Sequence, residues 1–270
     1  MSDQLLEQIV AEVQASPRYR SIHPGLVRRI AGQELAKGRK PKEAVKAVRN
    51  KLHQIGGAYQ ETPIDYAKLV FELAQLPAQC SDPDLQAFCR RTMQQHASTR
   101  ERLPILDKIF SQALAPLAPV RSLLDLACGL NPLALPWMPL AAEAPYYACD
   151  IYSDQVDFLN QFFVHIGRHG KAELCDLTAE LPTQPVQLAL LLKTIPCLEQ
   201  VDKSIAAHLL DGIPAEHLLI SFPVTSLGGH GKGMLENYEA HFKNLTSGRG
   251  WTIRRFEFSS ELAFLVSRKG

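Results

Sequence analysis

VRSLLDLACGLNPLALPWMPL, residues 120–140, is the stretch whose reading decides the fold. Residues 120–126 form an apolar run with the length and composition of a buried strand. A tight loop containing Gly129 follows, then the start of a helix or turn rich in proline. Asp125 sits near the carboxyl end of the strand. In an open α/β sheet, ligands bind outside the carboxyl ends of the strands, beside the first crossover. The pattern therefore predicts a nucleotide-like cofactor at this loop.

Downstream, strands and helices alternate. A strand over 146–149 ends in Asp150, and Ser153 is placed to cap a helix that turns Val156, Leu159, Phe162, Phe163 and Ile166 inward. Residues 171–175 form a strand ending in Asp176. Residues 186–192 are apolar throughout, as expected of a strand buried on both faces, and run into Lys193. A helix over 198–210, a strand over 217–222, the loop SLGGHGKGM (226–234), a helix over 235–242 and a closing strand pair over 251–258 and 261–267 complete the pattern. The expected fold class is α/β: a Rossmann-like sheet with a closing antiparallel strand pair, preceded by an α-helical amino-terminal domain.

Upstream, Leu5, Leu6, Ile9, Val10 and Val13 recur at helical spacing, and Pro17 stops that helix. A second helix spans 24–36, with Arg28 and Arg29 flanking its apolar face. A third opens on Pro41, turns Ala44, Val45, Val48, Leu52 and Ile55 inward, leaves Lys46 and Arg49 mostly outward, and ends at Gly56 and Gly57. Helices over 64–76 and 83–95 follow, then HASTRER (96–102) as a polar turn leading into a helix through Leu114. The chain divides into a helical domain over 1–110 and a cofactor domain over 111–270, with a proline-bearing linker at 115–119.

The composition, 46% hydrophobic and 21% charged, is that of a globular protein. No apolar run reaches the ~18 residues of a membrane span, and the first residues lack the basic start and apolar centre of a secretory signal. The six cysteines form no CxxC pair, so reduced thiols in a cytoplasmic protein are expected, with no disulfide frame and no metal. Residues 1–60 hold 11 Lys and Arg against 5 Asp and Glu, although the whole chain carries only +1. A basic helical module of this kind suits a polyanion; a solvated helical surface carries the same charge equally well.

Three consecutive strands end in acids, Asp125, Asp150 and Asp176, on one rim of a parallel sheet. A lone aspartate at such a place is more often a cap or turn residue; three in succession point to a cofactor. An acid after the second strand accepts from ribose hydroxyls. An acid after the third can meet an adenine amino group, and Asp125 can position the loop or the cofactor's amino group. The loop DLACGLN lacks both the GxGxxG of dinucleotide sites and the GK[ST] of phosphate loops. S-adenosyl-L-methionine carries no phosphate, and the closing strand pair also fits a methyltransferase (class I) sheet. That cofactor, leaving as S-adenosyl-L-homocysteine, is favoured.

KLHQIGGAY (51–59), HASTRERL (96–103), LLDLACGLNPLAL (123–135), CDI (149–151), LLKTIPCLE (191–199) and SFPVTSLGGHGKGM (221–234) together resemble the 16S ribosomal RNA guanine-N7 methyltransferases that confer aminoglycoside resistance. The matching stretches cover most of the chain in order. The resemblance implies a helical domain that docks on the 30S subunit and a second domain that methylates a decoding-site guanine. It implies that Tyr59, Arg102, Ala127, Gly129, Ile151 and Leu177 join the three acids around the cofactor, with Arg102 on its carboxylate. It implies Lys193 and Glu199 near the target base, and Arg28, Arg29, Lys46, Arg49, Lys232 and Met234 on the RNA. A monomer is expected. The family pattern carries a basic residue about where Thr225 stands, a departure that bears on RNA affinity. Each side chain also has a plainer reading: Arg102 and Lys193 as solvent-reaching cations, Glu199 as a helix-start charge, Tyr59 as packing, and the glycine loop as flexible surface.

Two other readings remain open at this point. Pro196-Cys197 stands where cytosine carbon-5 enzymes carry a nucleophilic cysteine, although its apolar context suits packing better. A non-catalytic ribosome-binding protein on a relic cofactor fold is the other.

Overall fold

Leu188, Leu190 and Leu192 face one side of the central sheet and Ala189 and Leu191 the other, and all are buried. This alternation explains the continuous apolar run: the strand has no solvent face. The computed structural model describes residues 3–60, 62–224 and 233–268, so Thr225 and Lys232 lie outside the described residues.

The sheet comprises β1 (Leu123–Leu126), β2 (Tyr146–Asp150), β3 (Gly170–Leu174), β4 (Val186–Leu192), β5 (Ala215–Pro223), β6 (Thr252–Glu257) and β7 (Glu261–Ser267). Their order is β3-β2-β1-β4-β5-β7-β6, with β7 antiparallel to both its neighbours and the other pairs parallel. The expected α/β class and closing antiparallel pair are present. The chain reverses its winding between β1 and β4, which opens a crevice at their carboxyl ends.

Ahead of the sheet come α1 (Asp3–Gln14), α2 (Pro24–Ala36), α3 (Pro41–Leu52), α4 (Tyr66–Leu73), α5 (Pro83–Met93), α6 (Ala97–Arg102) and α7 (Leu106–Ala113). Within the sheet region lie α8 (Ser153–His165), α9 (Thr194–Leu198), α10 (Ile205–Gly212) and α11 (Met234–Thr246). One apolar cluster joins α4, α5, α7 and α8 to one sheet face; a second joins α9, α10 and α11 to the other. A third lies within α1, α2 and α3 and takes Tyr152, just after β2, into its core. The hydrophobic contacts thus run across residue 110, and the cluster of the first three helices stands apart from them.

Three local readings are corrected. HASTRER is not a turn: residues 97–102 are helical, anchored where Thr99 Oγ1 donates to the Met93 and His96 carbonyls at 2.6 and 3.1 Å. Of the helix expected over 198–210, the part from Ile205 is helical and α9 ends at Leu198; between them Asp202 accepts from the Ser204 amide and hydroxyl at 2.9 and 2.7 Å and turns the chain. Ser153 makes no side-chain cap; its amide donates to the Ser21 carbonyl at 2.8 Å, in the loop before α2.

The helical module has its own electrostatic anchor. Glu34, 1% exposed on α2, accepts from Lys37 at 2.6 Å, Arg39 at 2.7 Å and Lys51 at 3.2 Å. Burial alone would raise its carboxyl; the three cations prevail and hold it at about 2. Its folded pKa lies below the ordinary 4.5, so the clasp stabilises fully above pH 4.5 and is lost as pH falls toward 2. Allowing for the solvent screening of the partly exposed cations, it contributes about 2 kcal/mol. Glu34→Gln is expected to lower urea-unfolding stability by about that amount at pH 7, with the gap to the parent closing as the acid limb is approached.

Candidate functional site

Beyond the carboxyl ends of β1 to β4 lies an open cavity. Each strand end contributes differently. Asp150 closes β2 and lies at the cavity edge, where the Gly129 amide donates to one carboxylate oxygen at 2.8 Å and the Ile151 amide to the other at 2.7 Å. These bonds fix the carboxylate plane. Burial pushes its pKa up, and the two amides partly offset that.

The loop after β1 approaches closely because two residues accept left-handed backbone: Ala127 at φ 50° and Gly129 at φ 53°. At Gly129 the requirement is steric as well. A Cβ there would lie 2.9 Å from the His96 ring, so only glycine lets the loop and the imidazole share this wall. A left-handed alanine is strained, and such strain concentrates at binding loops.

Asp125 is turned away from the cavity. Its Oδ2 accepts from Asn131 Nδ2 and from the Tyr146 hydroxyl, both at 2.7 Å. Burial raises its carboxyl, the two donors pull it back, and the outcome is about 7. Asn131 relays the contact: its Oδ1 accepts from Arg102 Nη1 at 2.9 Å. Asp125 therefore supports the loop through Asn131 and is not among the residues that line the cavity.

Arg102, 1% exposed and not among the lining residues, has Nε 2.8 Å from Glu261 Oε1. Among the described residues its Nη2 has no partner, and the Nε–Oε1 contact is an ion pair without hydrogen-bond geometry. Glu261 begins β7 and is fully buried; Ser221 donates to its Oε2 at 2.6 Å. Burial would raise the Glu261 carboxyl, but the Arg102 and Lys193 charges lower it, so it stays ionised. Lys193 follows β4 in left-handed conformation, φ 60°. Its Nζ reaches Glu101 at 2.6 Å and Glu261 at 3.6 Å. Sequence reasoning missed Glu261, Glu101 and His96. Glu261 did leave a signal, being the acid at the head of an otherwise apolar strand, where burial demands a cation.

Beside His96, the Tyr59 hydroxyl lies 2.7 Å from Cys197 Sγ, and Tyr59 stacks on His96 with ring centroids 5.8 Å apart. Burial, then the nearby Arg102, Arg100 and Lys193 charges, lower His96 to about 4, so its imidazole is neutral; its Nδ1 is buried without a partner. Burial raises Cys197 to about 11, only partly countered by Tyr59 and Lys193, so it is a thiol at neutral pH.

The other expected residues fall into two groups. Tyr59, Ala127, Gly129, Ile151, Asp176, Leu177 and Lys193 line the cavity with Asp150. Glu199 lies just after α9 and pairs with His241 at 2.9 Å. Arg28 pairs with Asp3 and Glu7. Arg49 donates to the Glu12 carbonyl at 2.8 Å, Lys46 is exposed, and Met234 starts α11. Arg29, also expected on the RNA, pairs with Asp176 at a shortest contact of 2.8 Å and keeps its side chain 27% exposed. Among the described residues no group of three or more His, Cys, Asp or Glu side chains is placed to hold a metal, and no helix is long and apolar enough to cross a membrane.

A family description, FmrO ribosomal RNA methyltransferase, matches residues 15–265. The chain belongs to this family of ribosomal RNA methyltransferases. It is 34% identical over 266 residues to a 16S rRNA (guanine(1405)-N(7))-methyltransferase of Micromonospora echinospora, covering 97% of each protein. It is 36% identical over 271 residues to the protein of the same name from Frankia casuarinae, covering 98% of this chain and 95% of that one. The crystal structure of the 16S rRNA methyltransferase RmtF in complex with S-adenosyl-L-homocysteine superposes with a TM-score of 0.85 at 35% identity, covering 100% of both chains. The 16S rRNA methylase RmtB gives 0.81 at 29% identity, covering 98% of each.

The family's methyl donor is testable against the residues present. A buried guanidinium with a free Nη2, a carboxylate held at the cavity edge and a wall that admits no Cβ suit a ligand carrying a carboxylate, ribose hydroxyls and no phosphate.

The ion pair under this site makes a specific demand. Glu261→Ala strands the Arg102 charge and is expected to cost roughly 3–5 kcal/mol in urea unfolding. The double change Arg102→Met with Glu261→Leu should recover most of that loss yet bind S-adenosyl-L-homocysteine no better than the single variant. Asp125→Ala orphans the Asn131 and Tyr146 donors, for an expected loss of about 2 kcal/mol by the same measurement.

Proposed function

We propose that this chain transfers a methyl group from S-adenosyl-L-methionine to N7 of a guanine in the decoding site of 16S ribosomal RNA, within the 30S subunit. The observation that carries this reading is the cavity at the switch point of the sheet, with Asp150 at its edge, in a chain matched by one ribosomal RNA methyltransferase family from residue 15 to 265. The curated relatives bear the guanine-N7 activity in their names, at about the same length as this chain.

The bound cofactor supplies a methyl group on a sulfonium, an electrophile needing only an aligned lone pair. Guanine N7 has that lone pair and carries no proton at neutral pH. No strong general base is required; among the described lining residues His96 is neutral, lowered to about 4, and Cys197 is a thiol. The task of the protein is orientation and exclusion of water. Asp150 takes the ribose and Arg102 Nη2 the cofactor carboxylate. Tyr59 and Lys193, which line the cavity, meet the target base together with Glu199. Arg28, Lys46, Arg49 and Met234 face the RNA.

Cytosine carbon-5 methylation is disfavoured. It needs a thiolate, and Cys197 donates to the Lys193 carbonyl at 3.1 Å while burial keeps its proton on. The protein works as a monomer in the cytoplasm, where ribosomes are, without a metal. Methylation at that base gives the host aminoglycoside resistance.

Incubation of 30S subunits with radiolabelled cofactor, followed by mapping of the modified nucleotide, tests the reading directly: label at guanine N7 is expected, and label on cytosine or no transfer overturns it. By calorimetry, Asp150→Ala should weaken S-adenosyl-L-homocysteine binding by tenfold or more. Neutralising Arg28, Lys46 and Arg49 together should weaken 30S binding and flatten its salt dependence by roughly one unit of slope for each phosphate no longer neutralised. An unchanged slope would remove those residues from the RNA surface.

A further inference from the structure

The helical module forms part of the cofactor cavity. Leu26 of α2, and Ile55, Gly56 and Tyr59 just after α3, line the same space as Asp150 and Gly129. Backbone bonds sew this wall to the rim of the sheet. The His23 amide donates to the Ile151 carbonyl at 2.7 Å, and the Ser153 amide returns to Ser21 at 2.8 Å. The Tyr152 hydroxyl packs so closely on Gly56 that a Cβ there would lie 2.6 Å from it.

One charged contact crosses this seam at the adenine end. Arg29 Nε and Nη2 donate to Asp176 Oδ2 at 3.2 and 2.8 Å, and Nη2 also reaches Oδ1 at 3.1 Å. Thr178 adds its amide and hydroxyl to Oδ1 at 3.0 and 2.6 Å, and Arg29 also reaches the Thr178 hydroxyl. Both oxygens of Asp176 are thus engaged by the protein. The side chain of Asp176 is 5% exposed and that of Arg29 27%, so the pair is shielded on the acid's side and open to solvent on the cation's.

We propose that Arg29 is a positioning residue of the cofactor site: its bidentate grip on Asp176 latches the helical module against the adenine end of the cavity, and so couples cofactor binding to the seating of that module. A ligand filling a cavity between two bodies favours the arrangement in which both walls are in place, and the latch determines how far that preference reaches the module. The coupling is reciprocal. Cofactor binding tightens α2 and α3 on the sheet, and a module held in its seat binds the cofactor more strongly. This places the cation expected to touch RNA at the joint between the docking surface and the methyl donor.

The inference rests on the cavity being the cofactor site, and the experiment separates the two. Calorimetry with S-adenosyl-L-homocysteine is run first on the parent protein; failure of the parent to bind sinks the cofactor reading itself. Given parent binding, Arg29→Ala and Asp176→Asn should each weaken it about tenfold, and the double variant should be no weaker than either single, since both remove one contact. Arg91→Ala, the same charge change at an exposed pair with Glu72, should leave the affinity unchanged. Arg29→Lys, which keeps the charge and loses the fork, should fall between the parent and Arg29→Ala. Hydrogen exchange supplies a readout that a purely structural contact would not move: the ligand should slow exchange across α2 and α3 in the parent and fail to do so in Arg29→Ala. If Arg29→Ala binds the ligand as the parent does, and loses only 30S affinity, Arg29 is an RNA contact and the latch is refuted. Additive losses in the double variant, or equal ligand protection in parent and Arg29→Ala, refute it as well.

Discussion

A guanidinium buried to 1% exposure must find its countercharge inside the protein, and Arg102 finds it on Glu261 at the head of the last strand. That constraint fixes much else. Glu261 has an oxygen left for the Ser221 hydroxyl on β5, and it shares its charge with Lys193 after β4. Through Asn131 the guanidinium reaches Asp125 on β1, and through Asp125 the hydroxyl of Tyr146 on β2. Helix α6, the cofactor loop and four adjacent strands plus the antiparallel closing strand are thereby tied to one charge pair. Such a network is costly to desolvate, and its value lies in specifying one arrangement, since no apolar substitute would leave a guanidinium edge free. The unpartnered Nη2 is the part of the network the fold does not use for itself.

The rim of the sheet shows why residue type alone does not assign a role. Three aspartates lie at or within two residues of the carboxyl ends of three neighbouring parallel strands. Asp125 faces inward because Tyr146 and Asn131 offer it donors there. Asp150 is held at the cavity edge by two backbone amides, one next to it in the chain and one from the neighbouring loop. Asp176 is turned to the helical module by Arg29 and Thr178. The difference comes from donors between 1 and 147 residues away in sequence, and none follows from the strand pattern.

The layers of the fold were legible because they depend on local periodicity. The run over 186–192, the helix from Pro24 with proline in its first turn, and the acids at strand ends each follow from a few neighbouring residues. The loop around Gly129 was legible for the same reason. What the sequence hid was either a short polar competitor or a long-range partner. Asp202 breaks a helix whose apolar spacing would have carried it on, by accepting from Ser204. HASTRER looks polar enough for a turn, and it is helical because its two arginines and glutamate are good helix formers anchored by Thr99. Lys193 and Arg29 looked like cations free to meet a substrate; each is engaged by a carboxylate at the end of a different element. A charge pattern gives the presence of cations on a face, and only the packed structure says which are already paired within the protein.

The electrostatics of the cavity agree with a reaction that moves no proton from its nucleophile. An enzyme that must deprotonate an amine or activate a thiol surrounds the group with a base or a cation tuned near neutrality. Here the tuning runs the other way. Burial and three neighbouring cations keep His96 unprotonated, burial keeps the Cys197 proton on, and the Tyr59 hydroxyl is pushed further from ionising by burial and by that thiol. Asp125, the group held near 7, is sealed from the cavity. In this wall His96, Cys197 and Tyr59 stay neutral at neutral pH, beside the ionisable Asp150, Asp176 and Lys193, which are hydrogen-bonded or paired within the protein. A purine nitrogen with its lone pair already exposed is the nucleophile such a wall suits, and alignment is then the only catalytic task left to the chain.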